Sequence, residues 1–316
     1  MIKEQRITYK SCRTDRDIDI SAYFYLPEGE IKGIVQLSHG MCEYVERYED
    51  LAEFLTKNGY VFCGNDHLGH GRTGEDSGEF GYFGEKDGWK CLSKDVHNLT
   101  FIAQERFPGV PLILLGHSMG SFVARDYAAK YGYDIDALIL SGTSGGETFI
   151  DVGIKLADRI AKRKGEKYVS SILNRAAFSG YNRGKSGGKT GFEWLSRDRE
   201  VCERYIADKW CAFIFTAAGF RDLFSLLKSV STEEWAENVP QNLPIYIFSG
   251  DDDPVGGHGK GVLKVEKLLK ETGHRDVELK LYEGGRHEML NETNREEVKE
   301  DILKFLEKVI CDSKDQ

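Results

Sequence analysis

The chain has 316 residues, 40% hydrophobic and 30% charged, a composition that can bury a sizeable core and excludes an intrinsically disordered polypeptide. Its 43 Lys and Arg stand against 52 Asp and Glu, a formal charge of -9, which argues against a global electrostatic grip on nucleic acid or on an anionic membrane. The opening Met1 to Arg6 has no apolar leader core and no later run approaches membrane-spanning length, so a cytoplasmic location is the expectation. Seven cysteines (Cys12, Cys42, Cys63, Cys91, Cys202, Cys211, Cys311) are odd in number and lack a C-x-x-C pair. That pattern argues against a disulfide framework and a zinc knuckle, and predicts reduced, mostly buried thiols.

In chain order, Arg6 to Tyr9 and Ile20 to Leu26 predict an antiparallel opening pair of strands. From residue 33 the rhythm changes to strands alternating with helices. Ile34 to Leu37 is a short buried strand, and Tyr48 to Lys57 carries Leu51, Ala52, Phe54 and Leu55 at helical spacing before Asn58-Gly59 stops it. Then follow the strand Tyr60 to Cys63, a helix over Trp89 to Arg106, the strand Pro111 to Leu115, a helix over Met119 to Tyr131 and the strand Ala137 to Leu140. The alternation resumes with Ile245 to Phe248, a helix over 261–271, the strand Val277 to Tyr282 and an amphipathic helix over 295–310. This predicts an α/β fold, a mostly parallel central sheet flanked by helices. Residues 146 to 240 lack a clear strand and predict an inserted helical cap, leaving 1–145 and 241–316 as the core.

Ligands of open α/β sheets bind beyond the carboxyl ends of the strands, so the loops there are the place to look for chemistry. Gly116-His-Ser118-Met-Gly120 fits G-x-S-x-G, in which a sharp strand-to-helix turn lifts a serine clear of the sheet, with Gly116 and Gly120 sparing it side-chain collisions. Two other stretches match as text: Gly142-Thr-Ser144-Gly-Gly146 and Gly184-Lys-Ser186-Gly-Gly188. No strand precedes Ser186, and Ser144 leads into the cap rather than into a compact apolar helix. Ser118 has both required neighbours, and the alternative for all three is a mere tight turn.

The remaining parts follow in the order that the α/β-hydrolase fold requires, Ser then Asp or Glu then His. Ser249-Gly-Asp251-Asp-Asp253 follows the strand ending at Phe248, and Glu283-Gly-Gly-Arg-His287 follows the strand ending at Tyr282. His287 suits the general base and Asp253 the acid that orients it; Asp251 and Asp252 compete at the same turn, and a solvated acidic turn is the bland alternative. Oxyanion donors are expected from the N–H of Met119 and, on the loop Ser38 to Glu43, from Met41, where Gly40 permits the turn. His39 is read as a structural residue holding that loop, while His258 and His274, in polar surroundings, are read as surface residues. No Asp occupies the nucleophile position, which disfavours dehalogenase and epoxide-hydrolase chemistry.

With these loops placed, the chain resembles the monoacylglycerol lipase and lysophospholipase-like branch of the α/β hydrolases, often grouped with the serine aminopeptidases. The resemblance rests on His39-Gly-Met-Cys-Glu43, Arg47-Tyr48, Asp66-His-Leu-Gly-His-Gly71, Leu114-Leu-Gly-His-Ser-Met-Gly120 and Tyr282-Glu-Gly-Gly-Arg-His287. It implies Ser118, Asp253 and His287 as a triad and Met41 and Met119 as oxyanion donors. It also implies a structural role for residues 66 to 71, against a metal reading of His67 and His70 that no further ligand cluster supports. The family usually has serine two residues after the last glycine of that motif; this chain has Thr73.

The expected reaction is two-step cleavage of a carboxylic ester through an acyl-serine, with no cofactor and no metal. A small-molecule or lipid ester is the expected partner. An aminopeptidase or small-acid esterase of the same fold is the nearer alternative, and a non-catalytic binding protein on a hydrolase scaffold the more distant one. The cap supplies pocket candidates in Ile154, Leu156, Ile172, Leu173, Phe178, Trp194, Trp210, Phe213, Phe215, Phe220 and Phe224. Over residues 155 to 189 the bases Lys155, Arg159, Lys162, Arg163, Lys164, Lys167, Arg175, Arg183, Lys185 and Lys189 face only Asp158 and Glu166. This excess is either a solvated helix face or a surface for transient contact with an anionic membrane interface. A P-loop reading of Gly184-Lys-Ser186 fails, because no strand precedes it and the required upstream glycine is missing.

Overall fold

The computed structural model describes residues 3–146, 149–185 and 190–314. Its frame is one eight-stranded sheet in the order β1-β2-β4-β3-β5-β6-β7-β8. The strands are β1 (Lys3–Lys10), β2 (Asp19–Leu26), β3 (Gly33–Ser38), β4 (Tyr60–Asn65), β5 (Leu112–His117), β6 (Ala137–Ser141), β7 (Ile245–Gly250) and β8 (Val277–Tyr282). The β1/β2 and β2/β4 pairs are antiparallel and the rest parallel.

The central strands read as unbroken apolar runs because both faces are covered. Along β5, Leu112 and Leu114 point into one core with α3 (Trp89–Arg106), α4 (Met119–Tyr131) and α10 (Lys260–Glu271). Ile113 and Leu115 point into the other, with α1 (Glu49–Lys57) and α11 (Arg295–Lys314). That alternation is the two-residue period of a strand buried on both sides.

A short helix, α2 (Gly71–Ser77), escaped the sequence reading. Its sequence, GRTGEDS, has no apolar period, and it is held instead by Asp66. The buried Asp66 carboxylate accepts from the Val45 N–H at 3.0 Å and the Arg72 N–H at 2.8 Å. Thr73 Oγ1 donates to the Asp66 carbonyl at 2.9 Å and accepts the Ser21 N–H at 3.0 Å. A hydroxyl is what this position needs, so threonine in place of serine keeps the loop intact.

Between β6 and β7 the chain runs through α5 (Ile150–Lys164), α6 (Ser171–Phe178), α7 (Arg199–Ala207), α8 (Ala217–Ser229) and α9 (Glu233–Asn238). Among the described residues this stretch adds no strand to the sheet, only an isolated bridge between Val169 and Thr216. Helix α5 packs on α8, whereas α9 packs on α4 and α10. Arg125 of α4, wholly buried, fastens both ends of the stretch by donating to the carbonyls of Ser144, at 2.6 Å, and Val230. Ser186 and Lys189 lie outside the described residues.

His274 corrects the sequence reading. It is 3% exposed, and its ring lies between the carbonyls of Leu269 and Val239, at 3.0 and 3.1 Å. Its neighbours in sequence are polar, but the turn after α10 folds the ring inward against the segment that follows α9.

Candidate active site

The parallel register brings the candidate residues level with one another. Ser38 at the end of β3 lies opposite Gly116 of β5, and His117 opposite Ser141 of β6. The loops after β3 and β5 therefore emerge side by side, and those after β7 and β8 emerge next along the sheet.

Ser118 stands between β5 and α4 with φ 53° and ψ −122°, a conformation that L-residues avoid unless the surroundings impose it. The surroundings here are close backbone contacts. A Cβ on Gly120 would collide with the carbonyls of Ser38 and His39, and one on Gly116 with the Gly120 carbonyl and the Ala124 side chain. The Ser118 N–H donates to the Ser141 carbonyl at 2.9 Å, and Ser121 Oγ donates to the Ser118 carbonyl at 2.6 Å. Ser118 remains partly exposed, with its neighbour Met119 buried beneath it.

His287 is buried, and its Nδ1 lies 3.0 Å from Asp253 Oδ2. Because Nδ1–H donates to the carboxylate, Nε2 keeps a free lone pair. Asp253 is itself held: Ser249 Oγ donates to Oδ2 at 3.1 Å and the Val255 N–H to Oδ1 at 2.8 Å. The competing acids serve elsewhere. Asp251 accepts the Gly284 N–H at 2.7 Å, and Asp252 pairs with Lys185 and His258.

Burial opposes a charge on His287, but the Asp253 carboxylate outweighs it and lifts the imidazole above its ordinary 6.5. The surrounding imidazoles go the other way. Burial pushes His117 and His67 down to about 3 and His70 to about 4, and holds His39 well below its ordinary value. His39 accepts the His67 N–H on Nε2 at 3.0 Å, leaving its Nδ1 proton for the Gly40 carbonyl at 2.9 Å. The ring thereby links the loop after β3 to the loop after β4.

A buried ion network, unforeseen from sequence, lies under the site. Glu43 accepts from the Gly40 N–H and from Tyr48 Oη at 2.7 Å. Arg47 donates to Glu43 at 2.7 Å and to both oxygens of Glu288 at 3.0 and 2.9 Å. The Met41 loop and the residue after His287 are thereby joined. Burial pushes the Glu43 carboxyl up, while in Glu288 the bidentate Arg47 overcomes burial and holds the acid low. The sequence signal was the pair Glu43 and Arg47 at i,i+4, but Glu288 lies 241 positions from Arg47.

The segment before α7 also touches this centre. The Trp194 carbonyl accepts the His287 N–H at 3.3 Å, the Leu195 carbonyl accepts the Glu288 N–H at 2.7 Å, and the Trp194 and His287 rings lie 5.1 Å apart.

One cavity of about 830 Å³ contains Gly40, Met41, Ser118, Met119 and His287 in its lining. The Met119 amide opens α4, where first-turn N–H groups have no intrahelical acceptor. Of the pocket candidates, Leu156, Leu173, Phe178, Trp194, Phe213 and Phe224 line the cavity. Phe215 and Phe220 are plain core, Trp210 packs edge-on to Tyr44, Ile172 faces solvent, and Ile154 is off the lining. Ser144 also lines the cavity, but without a positive φ.

Comparison with known proteins places the chain in a family. The family model described as serine aminopeptidase, S33, matches residues 29–294. A monoacylglycerol lipase of Mycolicibacterium smegmatis is 29% identical over 289 residues, 89% of this chain and 90% of that protein. The human monoglyceride lipase is 27% identical over 84% of this chain and 78% of its own length. Among solved structures, a thermostable carboxyl esterase from Bacillus coagulans, in complex with glycerol, superposes with a TM-score of 0.91 at 32% identity, covering 98% of this chain and 100% of that one. With its family model matched across both halves of the sheet, the chain belongs to the serine aminopeptidase S33 family of α/β hydrolases.

Proposed function

We propose that this protein is a serine esterase of monoacylglycerol-type lipids, with Ser118 as nucleophile, His287 as general base and Asp253 as the acid that orients it. The observation that carries the reading is the His287–Asp253 hydrogen bond beside a cavity that Ser118 also lines. In the first step Ser118 Oγ attacks the ester carbonyl as His287 Nε2 takes its proton. The N–H groups of Met41 and Met119 receive the developing oxyanion. Protonated His287 then hands the proton to the leaving alcohol, and water repeats the sequence on the acyl-serine.

The lining chemistry supports a lipid over an amino-acyl amide. Leu156, Leu173, Phe178, Phe213, Phe224 and Leu227 offer a long apolar wall. The two carboxylates that line the cavity, Glu43 and Glu288, are already committed to Arg47, which leaves them poorly placed to receive a substrate ammonium. The relatives named as monoacylglycerol lipases, and the glycerol carried by the Bacillus coagulans esterase, support a glyceryl ester.

Residues 146 to 240 act in this reading as a cap over the cavity. Its outer rim carries the exposed apolar side chains Phe149, Val152 and Ile172, with Phe149 and Val152 also lining the cavity. The exposed bases Lys155, Arg159, Lys162 and Arg163 lie beside them on α5. Apolar tips among bases suit a transient contact with an anionic lipid surface that feeds substrate to the mouth. Among the described residues no helix is long and apolar enough to cross a membrane.

Ser118→Ala abolishes labelling by a fluorophosphonate probe and Ser144→Ala leaves it intact; the reverse pattern assigns the nucleophile to Ser144. Asp253→Asn lowers kcat by about 10⁴-fold. Activity requires neutral His287, whose pKa is raised, so kcat/KM falls with decreasing pH through a midpoint above 6.5. In Asp253→Asn the raising carboxylate is gone while burial remains, so the residual acid limb moves to lower pH. Replacing Lys155, Arg159 and Lys162 by Glu slows turnover on anionic vesicles, as does high salt, and neither change slows hydrolysis of a soluble aryl ester.

A further inference from the structure

Two thiols from distant parts of the chain meet on the face of α3. Cys12 follows β1, and Cys91 lies in the first turn of α3, 79 positions later. The Cys12 Sγ is 3.8 Å from the Cys91 carbonyl oxygen, a contact that sets the Cys12 thiol against Cys91. Both are free and partly exposed.

The meeting is built by backbone anchors. Asp95, one turn along α3 and buried, accepts from the Cys12 N–H at 2.7 Å and from Ser11 Oγ at 2.6 Å. Its carbonyl accepts the Tyr9 hydroxyl at 2.7 Å. The turn carrying Cys12 is therefore fastened to the helix carrying Cys91, with the Cys12 sulfur held against that residue.

The two thiols are unlike. The hydrogen bond from Cys12 lowers the Cys91 pKa; burial and Asp95 oppose this, and Lys94 and Arg13 support it. The first turn of a helix also favours an anionic sulfur. Cys12, as donor beside Asp95, is held in its thiol form. A thiol with a lowered pKa beside a second thiol is the arrangement that lets a cysteine be oxidised and then resolved.

We propose that Cys91 and Cys12 form a peroxide-oxidisable dithiol, a reversible modification site separate from the ester-cleaving cavity. The Cys91 thiolate attacks a hydroperoxide; an S–O bond forms, the O–O bond breaks, and the departing oxygen leaves as water or alcohol after taking a proton from solvent. Cys12 then attacks the sulfenic sulfur of Cys91, an S–S bond forms, and the sulfenic oxygen leaves as water with the Cys12 proton. The sulfur pair loses two electrons and the peroxide gains them. A thiol reductant reverses the change by exchange.

The test is non-reducing peptide mapping of the folded chain after treatment with hydrogen peroxide, in a Cys311→Ser background that removes the exposed thiol. The expected result is a peptide pair joined through Cys12 and Cys91, lighter by two hydrogens, reversed by dithiothreitol. The crosslink raises the midpoint of thermal unfolding by about 5 °C by restricting the unfolded chain. Cys12→Ser and Cys91→Ser each remove the crosslink and the shift. Oxidation that stops at a sulfenic or sulfinic acid, or that joins other cysteines, overturns the proposal. The mapping reads the bond in the otherwise native chain, so it decides the matter even if a serine variant folds poorly, and it does not depend on Ser118 chemistry.

Discussion

The structure turns on how closely α4 approaches the end of β3. Gly120 lies against the carbonyls of Ser38 and His39 with no room for a Cβ, and Gly116 lies against Gly120 in the same way. That contact lets the chain reverse within one residue, and it forces Ser118 into a φ of 53°. The cost of that backbone conformation is borne by the packed sheet and helix on either side, an instance of local strain held by the surrounding fold. The same approach sets the amino end of α4 beside the loop of Gly40 and Met41, so the proposed nucleophile and oxyanion donors come from one packing event.

Charge is distributed around this contact with economy. Burial keeps His39, His67, His70 and His117 neutral across the physiological range. Only His287 is paired with a carboxylate that lifts it. Among these five imidazoles a proton therefore rests preferentially on His287. Beneath it, Arg47 balances Glu43 and Glu288 and ties the Met41 loop to the His287 loop through side chains. Trp194 and Leu195 add backbone contacts from the segment between β6 and β7, so that segment and the His287 loop are mechanically joined.

The elements were legible in the sequence where the physics is local. Unbroken apolar runs marked strands covered on both faces, and Trp89 to Arg106 and Met119 to Tyr131 matched the observed helices end to end. Strand and helix context separated the turn at Ser118 from the text matches at Ser144 and Ser186. What could not be read was non-local. Helix α2 has no apolar period and depends on the Asp66 carboxylate; His274 looked polar because its acceptor on Val239 is 35 positions away. The link from Arg47 to Glu288 spans most of the chain, and a pairing of that kind leaves no pattern in either segment.

In the proposed reaction Ser118, His287 and the amides of Met41 and Met119 surround one reacting centre. A crystal structure of the protein after reaction with a long-chain alkyl phosphonate ester tests it most directly. The expected result is phosphorus bonded to Ser118 Oγ, its phosphoryl oxygen about 3 Å from both amide nitrogens, and the alkyl chain along Leu156, Phe178 and Phe224. Phosphorus on another residue, or a phosphoryl oxygen turned away from both amides, would contradict it.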